Sequence, residues 1–287
     1  VEPVQTEFGR KTRINQTSCN QDFSCLLGDC PSFMTFEGDP GKADAARLED
    51  PAITLADPVP IVPEASFSVF MAGIGGTGVV TINQIIGMAA ALAGRSVRGI
   101  DQIGSSQKAG PVVSHLHVTT TPADGATRIM AGTADLLLAF DMLTASEAAH
   151  LGVASAERTV LVANPDPVPT GGLVTDVRRA HPEPELLRGR LAAVTRKDRH
   201  FINMLALSQR ALGDEVAANM ILVGAAYQAG ALPLPFEAIE AAIRMNGVAV
   251  DSNLRAFRWG RIAVQAPELV AGLLDDSLST EIIADAP

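Results

Sequence analysis

Cysteine is scarce in this 287-residue chain: Cys19, Cys25 and Cys30 are the only three, and all lie within twelve positions of one another. An odd count with no secretory signal in front of it argues against a disulfide framework. Lysine is also rare, with four in the chain, and the formal charge is -10 from 32 acids and 22 bases. That balance argues against general nucleic-acid binding, where clustered Lys and Arg supply most of the affinity. No run approaches the ~20 apolar residues that would span a bilayer. No charged segment followed by an apolar one opens the chain, so the expected setting is cytoplasmic. The Ser-His-Asp signature, the Walker lysine and the His-Glu-x-x-His of zinc hydrolases are all missing, as is any internal repeat. The first residue is Val1 rather than Met, so a longer or processed native product is expected.

What is present reads as a globular α/β chain. Hydrophobic residues make up 47% and charged residues 19%, and the length suits one or two domains of ~100–200 residues each. Residues 1–40 hold every cysteine and no helical period. Residues 41–64 are rich in Asp, Ala and Pro and read as a linker between two modules, with an ordered strap on the next domain as the alternative. Residues 65–265 form the main domain, and 266–287 an acidic tail or the start of a further segment. Short apolar runs predict strands at Phe67–Ala72, Val97–Ile100, Val112–Val118, Leu136–Phe140 and Thr159–Ala163, the first followed by a buried helix over Val79–Ala93. Amphipathic patterns predict helices at Leu186–Val194, Phe201–Ala211, Glu215–Tyr227, Phe236–Arg244 and Asn253–Val264. The expected architecture is a Rossmann-like, three-layer domain. It has a mostly parallel sheet and a helical C-terminal part, and an irregular Cys-containing segment precedes it.

Three constellations bear on chemistry. The run Cys19-x5-Cys25-x4-Cys30-Pro31 offers thiolates, which suit iron–sulfur clusters because soft sulfur binds iron and offsets its charge. A four-iron cluster needs a fourth ligand from elsewhere. A zinc site has the same shortfall, and three unpaired thiols in a loop remain an alternative. Gly73-Ile74-Gly75-Gly76-Thr77-Gly78 fits G-x-G-x-x-G between a strand and a helix. There glycines let backbone N–H groups approach a phosphate and the helix N-terminus favours an anion. Asp101, 23 residues past Gly78, stands where a ribose-binding acid would sit in a dinucleotide domain. The same glycines could serve packing alone. The third is the loop after the second strand, Asp101 to Pro111, whose Gln107 and Lys108 are candidates for a phosphate or carboxylate. A solvated loop is the plain alternative. His115 and His117 share one face of a strand and read as structural histidines rather than a metal pair.

Taken in order, these segments resemble one family. Gly73 to Val80, Gly99-Ile100-Asp101-Gln102-Ile103-Gly104 and Gln107-Lys108-Ala109-Gly110-Pro111-Val112-Val113-Ser114-His115 resemble the gamma domain of 2-oxoacid:ferredoxin oxidoreductases. Gln5 to Lys11, Cys30 to Phe33, and Asn246 to Val250 with Asn253, Phe257, Trp259, Gly260 and Arg261 are similar to the fused indolepyruvate type. The likeness spans residues 1–35 and 67–262. It implies oxidative decarboxylation of a 2-oxoacid on thiamine diphosphate and magnesium. Electrons would pass through iron–sulfur clusters to ferredoxin, and the acyl group would go to CoA. The resemblance makes a CoA phosphate the expected guest of the glycine turn, and partner domains and a homo-oligomer are expected with it. This chain contains no Gly-Asp-Gly with a downstream Asn for the magnesium–diphosphate, so thiamine ligands must lie outside it and no catalytic residue is assigned. Two other readings stay open: a stand-alone NAD- or FAD-binding reductase, and a non-catalytic docking domain.

Overall fold

The computed structural model describes residues 2–13, 49–104, 110–122, 124–168 and 181–275. Cys19, Cys25, Cys30, Gln107 and Lys108 lie outside the described residues. Residues 2–13, expected to be irregular, include an antiparallel hairpin of β1 (Glu2–Thr6) and β2 (Gly9–Arg13). The apolar content of these strands is low, so no alternation marked them in advance.

The main body is a six-stranded sheet of β3 (Ser66–Ile74), β4 (Ser96–Ile103), β5 (Pro111–Thr119), β6 (Leu136–Ala139), β7 (Val160–Ala163) and β8 (Arg199–Phe201), in the order β4-β5-β3-β6-β7-β8. The pairs β3–β6, β6–β7 and β7–β8 are parallel, whereas β5 runs antiparallel to both β3 and β4. The sheet is therefore mostly parallel, as expected, with β5 the one described strand that runs the other way. β4 and β5 form a hairpin, and that turns one strand against the rest.

Alternation along the central strands sorts the core into two layers, as the two-residue side-chain period requires. Val69, Met71, Leu136, Leu138, Val160 and Val162 join one apolar cluster, and Phe70, Ala72, Leu137, Ala139, Leu161 and Ala163 join the other. Both faces are covered, which is why β3, β6 and β7 read as continuous apolar runs. The first layer is built from α1 (Val79–Leu92) and the C-terminal helices; the second contains α2 (Met142–Ala145), α3 (Ala148–Leu151) and α4 (Pro184–Ala193). The helical part continues with α5 (Met204–Leu212), α6 (Ala218–Gln228), α7 (Phe236–Asn246), α8 (Val250–Gln265) and α9 (Pro267–Asp275). Phe201, expected to open a helix, instead ends β8. Asn203 and Met204 start α5, because three residues of Arg-His-Phe carry no legible period of their own.

α6 is buried almost all round. It crosses α8 at two reciprocal glycines: a β-carbon on Gly224 would fall on the Phe257 carbonyl, and one on Gly260 on the Ile221 carbonyl. The backbones touch, so neither position has room for any side chain. Residues 49–65 run over this helical layer. Asp50 accepts hydrogen bonds from Arg255 Nη2 (2.9 Å) and Trp259 Nε1 (3.0 Å), and Gln228 and Arg261 both donate to the Ala56 carbonyl. Burial alone would raise the Asp50 carboxyl; the Arg255 guanidinium and the Trp259 N–H outweigh it and hold it below the usual value.

The amino-terminal edge of the sheet is locked by a buried acid. Asp135 takes Arg158 in a two-point pair (2.7 and 3.0 Å) and accepts the Ser68 N–H at 2.8 Å. The opposite, carboxyl-terminal edge is where an open α/β sheet leaves its crevice.

Candidate functional site

That crevice contains the glycine turn. β3 ends at Ile74, whose carbonyl accepts the Thr77 N–H (3.0 Å) and hydroxyl (2.7 Å), folding the chain back into α1. Gly76 and Gly78 both have positive φ, 100° and 76°, the left-handed region that side chains disfavour. Gly78 is the N-cap of α1. A β-carbon there would also collide with Nδ2 of Asn219, the group that donates to the Thr77 carbonyl at 3.3 Å. Gly73 is needed for packing, since its β-carbon would press on Val79, Thr77 and Phe140. Gly75 anchors the turn by donating to the Gly110 carbonyl at 2.8 Å.

A cavity of about 670 Å³ opens beside this turn. Gly76, Thr77 and Gly78 form one wall, with Thr81 and Ile82 from the first turns of α1. Met204 and Leu205 of α5 and the start of α6 close it, and Val248, Ala249 and Asn253 bring in the start of α8. Three helix N-termini therefore meet at one space. Their N-cap residues, Gly78, Ala217 and Ala249, carry no side-chain oxygen to take the first-turn N–H groups, although in α6 the Ala218 and Met220 N–H groups already donate to the Glu215 and Ala217 carbonyls (3.2 and 3.0 Å). α5 contrasts with them: Asp166 accepts the Leu205 N–H at 3.0 Å and Asn164 the Met204 N–H at 3.3 Å. Burial raises the Asp166 carboxyl, partly offset by the backbone N–H groups of Leu205 and Ala206. Ala249, with φ 43°, is the one described non-glycine residue at positive φ. It holds the entry to α8 in a strained form, with the Val248 carbonyl accepting from Asn253 Nδ2 at 2.8 Å. No Lys or Arg lines the cavity among the described residues, whereas Asp214 and Glu215 do; Asp214 is engaged by the Val216 N–H at 2.9 Å. An anion held here would rest on backbone N–H groups, hydroxyls and amides.

Asp101 does not join this wall. It lies on β4, and β5 intervenes between β4 and β3, where a dinucleotide fold would place the acid strand next to the glycine strand. One Asp101 oxygen accepts Nδ2 of Asn83 (2.8 Å) and the Ser114 hydroxyl (2.5 Å), so this carboxylate ties α1 to the β4–β5 hairpin. His115 is buried, accepts the Ile129 N–H at 3.1 Å and sets its ring edge-on to Phe70 at 4.9 Å. Burial, with Arg128 nearby, pushes its pKa down to about 4. Among the described residues no three His, Cys, Asp or Glu side chains form a metal-binding group, and no helix is long and apolar enough to cross a membrane.

Residues 68–263 match the family model for pyruvate ferredoxin/flavodoxin oxidoreductase. The chain belongs to this family. Among curated relatives, an indolepyruvate oxidoreductase subunit IorB of Methanothermobacter thermautotrophicus is 29% identical over 203 residues, 68% of this chain and 96% of that protein. Among solved structures, a keto/oxoacid ferredoxin oxidoreductase gamma subunit from Geobacter sulfurreducens shares the fold with TM-score 0.51 and 18% identity, over 70% of this chain and 97% of that one. A 2-oxoglutarate:ferredoxin oxidoreductase from Magnetococcus marinus, solved with 2-oxoglutarate, coenzyme A and succinyl-CoA, matches at TM-score 0.52 and 15% identity, over 70% of this chain and 31% of that one. The family's fold is the α/β sandwich described above, and its members place this chain among the subunits of 2-oxoacid ferredoxin oxidoreductases.

The asparagines and the strained Ala249 at the cavity escape any reading of local pattern, because α6 and α8 approach the glycine turn only through tertiary packing. Their one advance signal is the segment Asn246-Gly247-Val248-Ala249-Val250 with Asn253, which the family resemblance singled out.

Proposed function

We propose that this chain is the gamma-type part of an indolepyruvate-class 2-oxoacid:ferredoxin oxidoreductase, and that the cavity at its glycine turn receives a phosphate-bearing portion of CoA. In this reading the thiamine diphosphate and magnesium sit on partner domains of the same polypeptide or complex. Cys19, Cys25 and Cys30 contribute to an iron–sulfur cluster that passes electrons towards ferredoxin in the cytoplasm. The observation that carries the CoA assignment is the meeting of three helix N-termini, none with a capping side-chain oxygen on its N-cap residue, around a space large enough for part of a nucleotide. Asp101 is occupied by Asn83 and Ser114, which favours CoA over a nicotinamide or flavin dinucleotide.

Thr81→Glu tests it. A carboxylate in the first turn of α1 suits the helix dipole, so the fold should hold, while its charge would oppose a phosphate in the cavity. In the assembled enzyme the KM for CoA should rise about tenfold, equivalent to ~1.4 kcal/mol, with the KM for the 2-oxoacid unchanged. An unaltered CoA KM in a folded variant would sink the assignment.

A further inference from the structure

The sheet has two edges, β4 and β8. β8 has three residues, too short to recruit another strand, whereas β4 has eight. No described strand pairs with the outer side of β4, so alternate backbone N–H and C=O groups there face outward. Natural edges are usually blunted by Pro, charged side chains (Lys above all) or a covering segment, and β4 has two charged residues, Arg98 and Asp101. β4, Ser-Val-Arg-Gly-Ile-Asp-Gln-Ile, contains neither Pro nor Lys, and Gly99, Ile100, Asp101 and Ile103 are exposed. Ile103 is 71% accessible and Ile100 37%. An eight-residue edge with two exposed isoleucines, unpaired by any described strand, offers its backbone to a partner strand.

We propose that two copies of this chain pair antiparallel through β4, across a two-fold axis at Ile100, joining their sheets into one. The register follows from geometry. A two-fold axis perpendicular to a sheet keeps each face on its own side, and directly opposed residues share a face, so the axis must pass through a residue. Centred on Asp101, it would set two carboxylates opposite each other, which is unfavourable. Centred on Gly99, it would place Val97 against the partner's Asp101 and Ile100 against the partner's Arg98. Centred on Ile100, it sets Ile100 against the partner's Ile100, Ile103 against the partner's Val97, and Arg98 against the partner's Gln102. Only this register buries both exposed isoleucines on apolar neighbours and opposes no like charges. The partner is a second copy because β4 is complementary to itself in this one alignment, and the inference is independent of what the cavity binds.

Sedimentation equilibrium of the full chain tests it, using Ile100→Lys and Ile100→Glu. The wild type should show twice the 29.9 kDa chain mass. Each variant should fall to the mass of one chain, because like charges then meet on the axis. An equimolar mixture of the two should return to the doubled mass, with Lys opposite Glu, which a misfolded variant could not do. A wild-type mass of one chain, a dimer that either single variant preserves, or a mixture that stays at one chain would each overturn the proposal.

Discussion

Replacing Gly78 with alanine should destabilise the domain by about 2 kcal/mol, and the loss should depend on Asn219. Gly78 has φ 76°, and an L-residue held in that left-handed region costs roughly 1–2 kcal/mol. Its new methyl would also displace the Asn219 amide, which donates to the Thr77 carbonyl at 3.3 Å; losing that bond costs about 1 kcal/mol. Alanine's smaller unfolded-state entropy returns about 0.4–1 kcal/mol. For a domain of this size a net ~2 kcal/mol lowers Tm by roughly 4–8 °C. Asn219→Ala alone should cost about 1 kcal/mol through the same hydrogen bond. With the amide gone the methyl has room, so the double variant should be about 1 kcal/mol more stable than the sum of the single effects. Urea unfolding of the four proteins measures the cycle. Additivity within ~0.3–0.5 kcal/mol would show that the left-handed backbone, not the contact with Asn219, explains Gly78.

Arg158→Met should cost about 2–4 kcal/mol, because it strands the Asp135 carboxylate, whose side chain is 1% exposed; Asp135→Asn in the same chain should recover part of the loss in a chemical unfolding series. His115 should stay neutral through the physiological range. Its folded pKa of about 4 lies below the ordinary imidazole value of 6.5, so the unfolded chain takes up the proton first. The stabilisation is complete above about 6.5 and declines as pH falls towards 4. An imidazole resonance titrating near 6.5 in the folded protein would contradict the burial argument.

Much of the fold was legible in the residues. Phe67–Ala72 and Leu136–Phe140 announce strands because both faces of the sheet are covered there and nearly every position can be apolar. The glycine turn was legible too, since positive φ at Gly76 and Gly78 demands the residue that stands there. β8 and the β1–β2 hairpin were not, because short strands with mixed side chains carry no period. The direction of β5 was not read either, although the seven residues between β4 and β5 are too few for a crossover to a parallel neighbour and themselves imply a hairpin.

Composition and local pattern alone determined that this is an α/β domain with a glycine turn between a strand and a helix, that its cysteines cluster, and which family it resembles, since each depends on residues close together in the chain. Tertiary structure alone decided that α6 and α8 bring their N-termini to that turn, that Asp101 braces α1 against the β4–β5 hairpin, and that no described strand pairs with the outer side of β4. Those outcomes are set by contacts between residues far apart in the chain, such as Asn219 with Thr77 (separation 142), and pairings at that distance leave no periodic trace in either segment.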